Sequence, residues 1–285
     1  MRVPWPALVA GRRPDGGPVY LVEERSLRLV PGAAFLADRE KGGPRTTPPP
    51  RRLLAVGDAV YNQADPRAPQ PVVSGFSSAL LMANPAPTGG LPRLAGSALE
   101  LDQCARLWRD RGGSASVLSG AEANPVRLTD EVTRGYDVLH VAAHFLPSPA
   151  GRDESQIALS LSADGTPRLL APRTIQNLRT GLRTVVLNGC GSGNGAAPSA
   201  TGLLGMTRAW LAAGSRHVVS TLWPTADDSG ELFQQFYRHL LEAPSREGVP
   251  AEPVALQRAQ VELIRSRSWR SQPRHWAAYF LISKD

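Results

Sequence analysis

Six short apolar runs, separated by stretches long enough for a helix or a long loop, constrain this chain more tightly than any other feature. They lie at 52–57, 115–118, 136–143, 183–189, 216–222 and 277–283. The segments 98–109, 128–134, 201–213, 228–242 and 252–266 read as helices. In 228–242, Phe233, Phe236, Tyr237, Leu240 and Leu241 recur on one helical face, behind an expected cap at Thr225 or Asp227. Gly214 is expected to end the helix at 201–213. This order predicts a doubly wound α/β domain with a mainly parallel sheet.

The Pro/Gly-rich stretch 39–50 cannot hold a helix or a central strand, so it divides residues 1–50, an N-terminal extension, from the main domain at 51–285. Within the extension, Val19-Tyr20-Leu21-Val22 and Leu27-Arg28-Leu29-Val30 are spaced as a hairpin, too small to fold alone and expected to append to the main sheet. A loop at about 61–94, and others at 145–156 and 191–199, are long enough to cover a site. The two cysteines, Cys104 and Cys190, are too few for a disulfide framework. No run is apolar enough to span a bilayer, and the first ten residues lack a signal-peptide layout, so a cytoplasmic location with no membrane partner is expected. A net charge of +7 raises nucleic acid as a partner. The arginines are scattered, however, and no RNA-binding or helix-turn-helix signature accompanies them, so nucleic acid is set aside. Val56-Gly57-Asp58-Ala59-Val60 after the first strand has no G-x-G-x-x-G, which sets aside a dinucleotide fold.

In an open parallel sheet, functional groups collect where strands end at their carboxyl edge. Two runs end there in reactive residues: 136–143 leads into His144, and 183–189 into Cys190 followed by Gly-Ser-Gly-Asn-Gly. They lie 46 residues apart, near the roughly 50 of a caspase-type His-then-Cys order. An imidazole beside a thiol lowers the thiol pKa and later protonates the leaving amine. Gly189, Gly191 and Gly193 would let the backbone approach a substrate, with the Cys190 and Phe145 amides as oxyanion donors. The same residues also suit a structural role, a small buried thiol and a hydrogen-bonded core histidine. Cys104 shares a helical face with Leu101, Ala105 and Trp108 and is expected to pack there; His140 is expected to be a core residue donating to backbone. His217, His239 and His275 have no partner nameable from sequence, and no Cys/His pair has metal-ligand spacing.

Taken together, Val138-Leu-His-Val-Ala-Ala-His144, Val185-Val-Leu-Asn-Gly-Cys190-Gly-Ser-Gly193, Trp210-Leu-Ala-Ala-Gly214, Val218-Val-Ser-Thr-Leu-Trp223-Pro and Trp276-Ala-Ala-Tyr-Phe-Leu-Ile resemble the CHAT-domain peptidases, bacterial relatives of caspases and separase. The resemblance implies a caspase-like three-layer sandwich: a mainly parallel six-stranded sheet with helices on both faces. It also implies a Cys190/His144 dyad with no required third member and no cofactor. The implied activity is that of a cysteine endopeptidase cutting a protein partner, encoded nearby, in bacterial defence or programmed cell death; repeats often precede such domains, which suggests an upstream repeat or regulatory partner. The alternative is a catalytically silent scaffold of the same fold. Leu222-Trp223-Pro224-Thr225-Ala226-Asp227-Asp228 is similar to the separase stretch that supplies an acidic specificity floor, which implies that Asp227 binds a basic substrate residue. The chain departs from the family at Phe145, where glycine is common, and at Asn188-Gly189, where Ser-Ala is common.

Overall fold

The computed structural model describes residues 3–32, 50–68, 90–147, 155–189, 200–242 and 250–284, with only the backbone of 200–204. Cys190 and the loop 191–199 lie outside the described residues. The main sheet contains β3 (Arg52–Gly57), β4 (Ser114–Leu118), β5 (Val138–Ala142), β9 (Thr184–Asn188), β10 (His217–Thr221) and β11 (Tyr279–Ser283), matching the six predicted runs. Its order is β11-β10-β9-β5-β3-β4. All neighbours pair in parallel except β11, which runs antiparallel to β10.

Successive side chains on a strand point to opposite faces, and here both faces are covered. Leu54, Val56, Leu139, Val141, Val185, Leu187 and Val218 pack with α3 (Pro125–Glu131), α4 (Pro172–Gln176) and α5 (Ala200–Ala212). Leu53, Ala55, Val138, Val186 and Val219 pack with α2 (Ala95–Asp110), α6 (Glu231–Glu242) and α7 (Ala251–Arg265). The result is the three-layer α/β sandwich expected from the sequence. No helix among the described residues is long and apolar enough to cross a membrane.

Local chemistry sets the helix ends. Asn124 accepts from the Arg127 amide and Pro125 occupies the first turn, so α3 begins three residues before the predicted 128. Gly214 ends the chain's exit from α5 with φ +118°, and a Cβ there would lie 2.5 Å from the Thr180 carbonyl oxygen. Helix α6 begins at Glu231, not 228, and neither Thr225 nor Asp227 caps it.

The structure departs from the sequence-based expectation in the N-terminal piece and in 144–170. In the N-terminal piece the hairpin pairs β1 (Val9–Arg12) with β2 (Pro18–Tyr20), not the two apolar runs. Leu21 and Val22 instead open α1 (Leu21–Glu24), whose Glu23 carboxylate accepts from the Tyr20 amide. The second run supplies a parallel bridge from Leu29 to Ile282, so this segment does append to the sheet, at β11. The second departure concerns 144–170, where β6 (His144–Pro147), β7 (Ser155–Leu161) and β8 (Pro167–Leu170) form an antiparallel three-stranded sheet. Ile157, Ala158, Leu159 and Leu170 bury their side chains in the core on the α3–α5 face.

Candidate active site

The site is built at the carboxyl ends of β3, β5 and β9. Parallel pairing of β5 with β9 joins residues 46 apart, from Val138↔Thr184 to Ala142↔Asn188. The Ala143 amide extends it by donating to the Asn188 carbonyl at 3.1 Å. His144 and Cys190 share that 46-residue offset and stand two positions beyond the same last rung.

At His144 the chain leaves the main sheet and enters β6. The imidazole is 1% exposed, and its Nε2 lies 2.8 Å from the Pro92 carbonyl oxygen. A carbonyl only accepts, so Nε2 carries the hydrogen and, in the neutral ring, Nδ1 carries the lone pair. Nδ1 is buried without a hydrogen-bond partner among the described residues. The Tyr61 ring meets the imidazole edge-on at 4.8 Å between centroids. Burial pushes the Tyr61 phenol well above its ordinary value, with Asp58 and Asp227 adding in the same direction.

The segment carrying Pro92 is pinned residue by residue. Asn62 donates to the Leu91 carbonyl at 2.8 Å, and Ser97 donates to the Leu94 carbonyl at 2.7 Å. Arg93 makes a two-point contact with the Asp58 carboxylate, at 2.9 and 3.2 Å. Arg67 grips the same carboxylate at 2.7 and 3.2 Å and also bonds Asp65 at 2.7 Å. Asp58 is itself 6% exposed and adopts φ +44°, the left-handed region uncommon for a side-chain-bearing residue.

Phe145, the residue after His144, is 2% exposed, and its strand pairs it with Ile157. A Cβ at Gly189 would lie 2.1 Å from Phe145 Cδ2 and 2.6 Å from the Ala143 carbonyl oxygen, so only glycine fits there. The residues flanking the two candidate reactive groups therefore touch. Asp227 is exposed, and its carboxylate accepts from the Gly96 and Ser97 amides at 2.8 and 2.9 Å. It caps the first turn of α2, across the fold, instead of its own helix.

Beneath the site lies a buried polar chain that no sequence motif marks. Asn188 donates to both oxygens of Glu100 at 2.9 Å, and Glu100 faces His140 Nε2 at 2.8 Å. Tyr237 faces His140 Nδ1 at 2.9 Å, while Thr225 and Tyr279 donate to the Asn188 side-chain oxygen. His140 thus bonds two side chains, not backbone. Donation from Nε2 to Glu100 and acceptance at Nδ1 from Tyr237 satisfy every partner of His140. One signal was available: Glu100 is the lone carboxylate on the apolar face formed by Leu101, Cys104, Ala105 and Trp108.

Burial pushes the Cys104 thiol well up, leaving it a protonated packing residue as expected. The other histidines do have partners: His217 contacts Glu252 and Ser283, His239 contacts Glu262, and His275 accepts from Arg274. Among the described residues no group of three His, Cys, Asp or Glu side chains could hold a metal ion.

The CHAT domain family model matches residues 1–284. Tetratricopeptide repeat protein 28 of Mus musculus is 26% identical over 287 residues, covering 93% of this chain and 11% of that protein. The Homo sapiens protein of the same name is 32% identical over 118 residues, covering 41% of this chain and 4% of that protein. The chain thus spans only a small part of these relatives. Among solved structures, the Arg-specific cysteine proteinase gingipain R aligns with TM-score 0.47 and 9% identity, covering 88% of this chain and 51% of that one. A complex of Porphyromonas gingivalis RgpB pro- and mature domains aligns with the same score and identity, covering 86% and 51%.

Proposed function

Because this chain belongs to the CHAT domain family, we propose that it is a cysteine endopeptidase with Cys190 as nucleophile and His144 as base. The shared 46-residue offset of the β5–β9 register and of this pair carries the reading. Nδ1 of His144, whose Nε2 is committed to Pro92, takes the thiol proton, and the thiolate attacks the scissile carbonyl. The Cys190 and Phe145 amides hold the oxyanion. The imidazolium then protonates the leaving amine, and water, deprotonated by the same nitrogen, hydrolyses the acyl-enzyme. No step calls for a cofactor.

Asp227 selects arginine or lysine before the scissile bond. What supports this is the acidic charge it brings to this end of the sheet, where it helps raise the phenol of Tyr61, the ring that packs on His144. Two helix amides already occupy its carboxylate, but an ionised carboxylate accepts more than two hydrogen bonds. The substrate is a protein encoded nearby, cut in defence or programmed cell death, and the repeat-protein relatives favour an upstream repeat partner.

The test is incubation with neighbouring gene products, comparing the intact chain with Cys190→Ala and sequencing new protein ends. New ends that need Cys190 and follow arginine or lysine are expected. Iodoacetamide near neutral pH is expected to label Cys190 far faster than Cys104. Equal labelling and no cleavage would establish the silent scaffold instead.

A further inference from the structure

Asp58 is the point on which the contacts of this segment converge. It is buried at the end of β3, in the left-handed region, and two arginines close on its carboxylate from opposite ends of the segment that links β3 to α2. Arg93 is one of them, and it directly follows the residue whose carbonyl faces His144 Nε2. A carbonyl is an oriented acceptor, and a proline leaves it little freedom except rotation with its neighbours. The Arg93 side chain is 47% exposed, yet it holds a two-point contact with a carboxylate that is 9% exposed. A bidentate guanidinium–carboxylate contact fixes orientation as well as distance, which a single ammonium does not.

We propose that Asp58 and Arg93 are positioning residues for His144. Their contact holds the Pro92 carbonyl on Nε2, which leaves Nδ1 to take the Cys190 proton and stabilises the imidazolium so formed. This rests on the Cys190/His144 reading given above. The chemistry is a hydrogen bond to a charged group: with the Pro92 oxygen in place, the ring accepts a proton from Cys190 more readily, and the thiolate persists to lower pH. With the carbonyl displaced, the ring is free to flip and the imidazolium loses its acceptor. The other groups at the ring are Tyr61, protonated throughout the working range, and, acting on that phenol, Asp58 and Asp227.

The experiment is the pH profile of iodoacetamide labelling at Cys190, read by mass spectrometry on the full chain, with buried Cys104 as an internal report of unfolding. The chains compared are wild type, His144→Ala, Asp58→Asn, Arg93→Ala and Arg93→Lys. Wild type is expected to label at a pH below the ordinary thiol value, and His144→Ala to lose that advantage. Asp58→Asn and Arg93→Ala are expected to shift the profile upward, slowing labelling at about pH 6 roughly tenfold with Cys104 still protected. Arg93→Lys, which keeps one contact with Asp58, is expected to fall between. If Arg93→Ala exposes Cys104, Arg93→Lys decides, because it keeps the charge and the packed stem. Superposition of Asp58→Asn and Arg93→Lys on wild type overturns the proposal. Superposition of His144→Ala on wild type overturns the dyad itself, a separate outcome.

Discussion

At Gly189 one missing carbon decides how two chain segments meet. A methyl group there would fall 2.1 Å from the Phe145 ring, well inside contact distance, and 2.6 Å from a backbone oxygen that cannot swing away. Gly189→Ala should therefore destabilise the protein by about 1–3 kcal/mol and slow Cys190 labelling by displacing the strand end. Phe145→Ala opens a cavity and should cost about 3 kcal/mol alone. Combined, the two should cost less than their sum, because each relieves the other's defect; denaturant melts of the double-mutant cycle measure this. Additive losses would mean the ring and Gly189 are not in contact in solution. His144 itself was legible as the polar residue ending an apolar run. Its partner was not, because Pro92 contributes a backbone carbonyl, and no side-chain pattern marks which of many carbonyls will arrive there. Asp58 and Glu100 were no easier to read, because Arg93 lies 35 residues from Asp58 and Asn188 lies 88 residues from Glu100.

Among elements, those buried on both faces were the easiest to read. Strands β3, β5 and β9 are largely apolar runs, interrupted inside β5 by His140, because α-helices cover each side, and that signal needs no knowledge of neighbours. Strand β7 escaped notice although Ile157, Ala158 and Leu159 are buried, since it carries only one β-branched residue and follows a Pro/Gly-rich stretch that reads as loop. The true N-terminal hairpin also had a sequence mark, the Asp15-Gly16 turn, with Gly16 at φ +82°. The loop entering the site makes a prediction about acid. Hydrogen bonds from Arg67 hold the Asp65 carboxyl at about 2, against an ordinary 3.8. A carboxyl depressed by folding adds stability that is complete above its unfolded value and disappears as pH falls through its folded value. Thermal melts of Asp65→Asn should thus lie below wild type at neutral pH, with the gap closing between about pH 4 and pH 2. A gap independent of pH would deny the ion pair any part in stability.

For the molecule as a whole, the N-terminal piece belongs energetically to the main domain. Val22 is 1% exposed within the α2/α6/α7 core, Tyr20 meets Trp276 edge-on at 5.0 Å, and Leu29 exchanges backbone hydrogen bonds with β11. A chain starting at residue 51 would uncover the β11 edge, and unpaired edges invite association. We expect that chain to melt at least several degrees lower and to associate in light scattering. Unchanged melting would make 51–285 a self-sufficient domain. The clamp at Asp58 has a different kind of consequence. Because Arg67 and Arg93 meet on one carboxylate, the chain between residues 68 and 90 starts and finishes at the same anchor. A change of length introduced between those two anchors is therefore expected to leave the Asp58 contacts and the neighbouring Pro92 carbonyl in place.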